Sequence, residues 1–210
     1  MKKIYIAQIL LSLILFLFFW DHFLLSPLHS FITAIHEACH GFTTLITGGS
    51  IKEIALNSKS GHLISQGGFY PLISISGYIG SSILGSFLIS SKNKGFILFS
   101  MVSFVLVLSI IYIDTYISLD FLFLILLSLA LYISIFKQYY LDNVSFFIGT
   151  LLAVQSFQDI KMYLFYIPSE TDSGLLANWF GLPWLAIPIS IVILLISLFV
   201  WYLGFRKLLR

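Results

Sequence analysis

Apolar runs of roughly span length, divided by short polar breaks, set the rhythm of this chain. At ~20 apolar residues per bilayer crossing, the pattern predicts about seven helical spans. They fall at residues 4–20, 27–47, 69–91, 95–113, 117–136, 144–166 and 180–204. The breaks have the chemistry of helix ends. Ser26-Pro27 opens the second run with proline in its first turn, and Gly48-Gly49 closes it. Ser91 to Gly95 separates the third run from the fourth, and Lys137 to Asn143 the fifth from the sixth. Asp114 to Asp120 is the weakest boundary, so the count is six to seven. The first run follows Lys2 and Lys3 and has no small-residue cleavage site around Trp20-Asp21-His22-Phe23. It reads as a retained span rather than a removed signal.

One connection, residues 48–68, is long and polar. Ile51 to Leu56, a turn at Asn57 to Gly61, and His62 to Gln66 read as a short β-hairpin. The expected fold is all-α: a polytopic integral membrane helical bundle with one hairpin-like loop, forming a single membrane-embedded domain over residues 1–210.

Composition agrees. Hydrophobic residues make up 59% of the chain, charged residues 10%, and mean hydropathy is +1.02. Soluble domains carry about 25% charged residues, so this supply cannot furnish a water-facing surface. A net charge of +2 argues against a nucleic-acid partner, and a single cysteine, Cys39, excludes an internal disulfide.

The candidate chemistry lies in the second run. His36-Glu37-Ala38-Cys39-His40 is flanked by the uncharged stretches Ser30 to Ile35 and Gly41 to Ile46. On a helix, two imidazoles four residues apart lie ~40° from each other around the axis. Both can reach one zinc ion, and the intervening carboxylate can act as base toward a water that the metal activates. A carboxylate at mid-membrane costs roughly 2.5–3.5 kcal/mol, which asks for a functional reason. The competing interpretation makes His36, Glu37 and His40 hydrogen-bonding glue between helices. His29 shares the face of His36 two turns earlier and reads as a supporting or entry-side group. His22 and His62 read as interfacial, and Thr33, Thr43 and Thr44 as lining for a water route.

A catalytic zinc takes three protein ligands and keeps one position open. Two carboxylates compete for the third place. Asp159 lies within the sixth run at a depth matching His40, with Gln155 one turn earlier to orient it. Asp172 precedes the last run, in a segment where Asp also serves as a helix N-cap. The depth argument favours Asp159. In the third run Gly77, Ser81 and Gly85 form a small-residue stripe, expected to pack against the helix that carries the histidines.

Together, Ala34 to His40, Leu45 to Ile51, Ser60-Gly61, Gly67-Gly68 and Ser76 to Gly80 resemble the site-2 protease-type membrane zinc metallopeptidases, and more narrowly their small bacterial M50B-like branch. The likeness is specific over about residues 30–86. It is looser over 150–185, where Asp159-Ile160 and Thr171-Asp172-Ser173 resemble acidic positions of that branch. It implies that His36 and His40 are zinc ligands and Glu37 the general base. Better-studied members take a third ligand from an Asp-Gly segment opening a later helix, which Asp172-Ser173-Gly174 approximates. The expected protein is therefore a multi-pass endopeptidase of a bacterial cytoplasmic membrane. It would bind one zinc and cleave a membrane-protein or peptide substrate within or beside the lipid bilayer. A non-catalytic metal-binding membrane protein and a small ion transporter are the rival classes. Against the transporter, the sequence has no internal repeat.

Overall fold

The computed structural model describes residues 2–20, 22–56, 61–91, 94, 96–98, 100–103, 138–165 and 171–209. Within them the chain is mostly helical, with one two-stranded antiparallel sheet. Helix α1 (Lys2–Ile14) runs on into a π-helical turn at Leu15–Phe19. A 3-10 turn at Phe23–Leu25, capped by the His22 ring, leads into α2 (Ser26–Ile46). Pro27 fits the start of α2 because the first-turn N–H groups lack helical partners in any case. The helix stops at Gly48, whose φ of +83° is left-handed backbone that a β-carbon disfavours. The Gly49 N–H then donates back to the Thr44 carbonyl at 2.8 Å.

The predicted hairpin is present. Strand β1 (Ser50–Leu56) pairs with β2 (Gly61–Gln66), with a bulge between Ile51 and Glu53. Ile51 and Leu63 reach under the sheet to Gly41, where a β-carbon would come within 3.0–3.1 Å of their methyl groups. The hairpin thus lies directly on α2, one residue beyond His40. Phe69 then donates its N–H to the Thr47 hydroxyl at 3.1 Å, tying the end of the hairpin to the end of α2.

Helix α3 (Tyr70–Ser90) is the central element. It touches α2, α4 (Gln138–Val154), the short α6 (Asp172–Trp179) and α7 (Ala186–Leu208). Between α4 and α6, a 3-10 turn at Gln155–Phe157 precedes α5 (Gln158–Phe165). Away from the hairpin the core joins Phe16, Trp20, Phe31, Ile32 and Ile35 to Leu88, Leu98, Val102, Leu151 and Leu152.

The span pattern needs correction at several points. Among the described residues, two helices are long and apolar enough to cross a membrane, Tyr70–Ser90 and Pro183–Leu208, with mean hydropathy 1.7 and 2.5. Helix α2 is as long as α3 but carries His29, His36, Glu37 and His40, which lower its hydropathy. The predicted span 117–136, and 95–113 beyond residue 103, lie outside the described residues. Lys137 to Asn143 does not wholly break the chain: α4 already begins at Gln138. The acid in this stretch is balanced from elsewhere, since Asp142 pairs with Lys94 at 3.1 Å. The expected last span starts late, at the Pro183–Leu185 turn, because Gly181 at φ +72° ends the preceding helix.

Helices α3 and α4 meet backbone to backbone. A β-carbon at Gly85 would lie 2.5 Å from the Gly149 carbonyl oxygen and 3.2 Å from the Leu152 Cβ. Gly85→Ala is therefore expected to force the helices apart at a cost of about 1–3 kcal/mol. The thermal midpoint of the protein in detergent should fall. An unchanged midpoint would contradict this contact.

Candidate metal centre

One helical turn places the His36 and His40 rings edge to face, with centroids 4.6 Å apart and an interplanar angle of 84°. Their Nε2 atoms are 3.0 Å apart. The Nδ1 of His40 lies 2.6 Å from the Ile73 carbonyl oxygen. A carbonyl can only accept, so Nδ1 carries the proton and the Nε2 of a neutral ring presents a bare lone pair. Asp172 completes the cluster, with Oδ2 3.0 Å from His36 Nε2 and 3.2 Å from His40 Nε2. These are the ligating groups of the His/Asp cluster found among the described residues.

The cluster fits a divalent cation. Tetrahedral ligands at ~2.0–2.1 Å from zinc stand ~3.3 Å apart, and the three separations here are 3.0, 3.0 and 3.2 Å. Both histidines are buried, and the Asp172 side chain is 21% exposed. Asp172 Oδ2, within 3.2 Å of both ring nitrogens, supplies the oxygen donor of the set.

Helix α3 comes close enough to form the wall of this centre. A β-carbon at Gly77 would overlap His36 Cε1 and Nε2 and His40 Nε2. One turn on, a β-carbon at Gly80 would lie 2.8 Å from the Cβ and Sγ of Cys39. The Tyr78 ring stands 4.3 Å from the His36 ring, centroid to centroid, at 64°. Ser74 donates its hydroxyl to the Asp172 carbonyl at 2.8 Å, docking the first residue of α6 on α3. Cys39 borders an apolar cleft of about 750 Å³ shared by α2, α3 and Phe96, Ile97, Ser100 and Met101.

The structure places the two candidate aspartates differently. Asp172 stands against the imidazoles, on the first residue of a short helix. The N-cap role falls to its neighbour Thr171, whose hydroxyl accepts the Gly174 N–H at 3.0 Å. Asp159 instead accepts the Tyr78 hydroxyl at 2.7 Å on Oδ1, and the Ser173 N–H at 3.1 Å together with the Ser173 hydroxyl on Oδ2. Gln155 does not orient it, because the 3-10 turn breaks the α-helical phase between them. Glu37, next to His36 on α2, is buried. His29 lies away from the cluster, its ring 4.8 Å from Trp20. Thr44 is fully buried and donates its hydroxyl to the His40 carbonyl.

The small-residue stripe is divided. Gly77 faces the imidazoles of α2, whereas Gly85 faces α4. Sequence reasoning also missed Ile73, Ser74, Tyr78 and Ser173. Their only local signal was adjacency, to the small-residue stripe or to Asp172.

Gly77→Ala is expected to displace one or both rings and to weaken zinc or cobalt binding by about 10- to 100-fold. Metal titration of the purified protein checks this, and parental affinity would refute the close approach.

The chain matches no curated protein and no solved structure. A family match, described as Peptidase M50B-like, covers residues 9–204 and so includes the whole cluster, Glu37 and Asp159. A match of that extent shows that the chain belongs to the Peptidase M50B-like family, metallopeptidases of the membrane-associated site-2 protease type.

Proposed function

We propose that this protein is a multi-pass intramembrane zinc metalloendopeptidase that hydrolyses peptide bonds of membrane-protein substrates. In this reading one zinc is held by His36, His40 and Asp172, and Glu37 is the general base. The carrying observation is the convergence of two imidazole nitrogens and one carboxylate oxygen at 3.0–3.2 Å. Family membership supports the reaction class, and likeness to the small bacterial branch supports a bacterial cytoplasmic membrane.

When bound, zinc would polarise the scissile carbonyl and lower the pKa of water toward ~7. The chain's own groups supply the rest. The hydrogen bond from His40 Nδ1 to Ile73 fixes that ring's tautomer and its rotation. Glu37 takes a proton from the attacking water on a carboxylate oxygen and delivers it to the amide nitrogen as the C–N bond breaks. A substrate helix hides its carbonyls in i to i−4 bonds and must unwind before water can attack. The β1–β2 hairpin, seated on α2 beside His40, offers edges on which an extended segment can pair.

Glu37→Gln should lower cleavage of a membrane-protein reporter by about 10²- to 10⁴-fold while zinc content stays parental. His36→Ala should lose zinc and activity together. Parental zinc in His36→Ala would end the ligand assignment. A zinc-loaded parent that cleaves nothing would favour a non-catalytic metal protein.

A further inference from the structure

The second buried carboxylate carries a role of its own. Asp159 is 2% exposed, and its oxygens are occupied by donors from two other elements: Tyr78 of α3 on Oδ1, and the backbone and side chain of Ser173 of α6 on Oδ2. Each of these partners stands next to a member of the metal cluster. Ser173 directly follows Asp172, and the Tyr78 ring packs edge-on against His36.

We infer that Asp159 is a positioning residue that braces the centre from behind, setting two of its ligands from two different helices. Through Ser173 it fixes the start of α6, and with it the direction of the Asp172 carboxylate. Through the Tyr78 hydroxyl it holds the ring that limits rotation of His36. This rests on the reading of His36, His40 and Asp172 as ligands. A plain staple between helices would be better built from apolar side chains, because a buried carboxylate is costly even when fully hydrogen-bonded. Three donors drawn from groups adjoining two ligands give that cost a purpose, since partners behind a ligand orient it and tune its affinity.

The test is cobalt(II) titration of the full chain in detergent, followed by visible d–d absorption, with thermal melting in parallel. The proteins are the parent, Asp159→Asn, Ser173→Ala, Tyr78→Phe and Asp172→Asn. Asp159→Asn and Ser173→Ala should each weaken cobalt binding by about 10- to 100-fold. At saturation the parental band should return, because all three ligands remain. Tyr78→Phe keeps the ring, loses only one hydrogen bond, and should show a smaller loss. Should Asp159→Asn fail to fold, Ser173→Ala and Tyr78→Phe carry the same test with smaller perturbations. Parental cobalt affinity in the brace variants, with a lowered melting point alone, would reduce Asp159 to a structural staple and overturn the inference. A changed band at saturation in Asp159→Asn would overturn it differently, by making Asp159 itself a ligand. Asp172→Asn reports on the underlying reading: if it leaves affinity and band unchanged, the ligand set falls whatever Asp159 does.

Discussion

Three lone-pair-bearing atoms held about 3 Å apart, in an interior that excludes most water, are the constraint on which the rest of this structure depends. Such atoms repel unless a proton or cation lies among them, and low dielectric raises the stake. Meeting the constraint takes three backbone arrangements. The period of α2 stacks two imidazoles on one face. Helix α3 approaches until position 77 has no room for a side chain. Helix α6 begins with Asp172 docked on Ser74. A glycine inside a helix costs about 1 kcal/mol relative to alanine, and Gly77 sits where that loss is offset by the centre it admits.

The features legible in the sequence were those with a local period. His36 and His40 follow from a spacing of four, the hairpin from alternation bounded by glycines, and the end of α2 from Gly48. Which of the two candidate carboxylates stands against the imidazoles was not legible, because that depends on how the chain returns. Equal depths for Asp159 and His40 require the sixth run to be one straight helix. A 3-10 turn at Gln155–Phe157 breaks it, and the chain comes back in a short helix whose first residue, not a loop, carries Asp172. The sequence favours Asp159 as the third ligand, whereas its oxygens meet Tyr78 and Ser173 instead. Its partners Tyr78 and Ser173 are 81 and 14 residues away, distances that no local pattern reports. The Lys137 to Asn143 break misled for a related reason: Asp142 lies on an exposed face of the helix, where a distant Lys94 pairs with it.

Burial patterns identify the surroundings. On α2 the polar residues His29, His36, Glu37 and His40 face inward, while Phe42, Leu45 and Ile46 lie exposed. Helix α7 likewise exposes Ile187, Ile191, Leu195 and Phe199 and buries Ser190, Ser197 and Gly204. A helix in water does the reverse. Surfaces of this kind suit hydrocarbon, where the expensive groups must satisfy one another inside the bundle.

In such a medium, burying apolar area gives little drive for helices to associate, and close van der Waals approach has to supply it. That explains why glycines stand at close crossings along α3. Gly85 meets Gly149 of α4, and a β-carbon at Gly204 of α7 would stand 2.7 Å from the Ser86 carbonyl. Gly80 closes on Cys39, and Gly77 on the two imidazoles. The same rule that joins backbone to backbone elsewhere along α3 brings backbone to imidazole at position 77. The centre is therefore placed by the packing logic of the bundle: α3 presses on α2 at the turn where the histidines are stacked, and α6, docked on that same helix, supplies the acid.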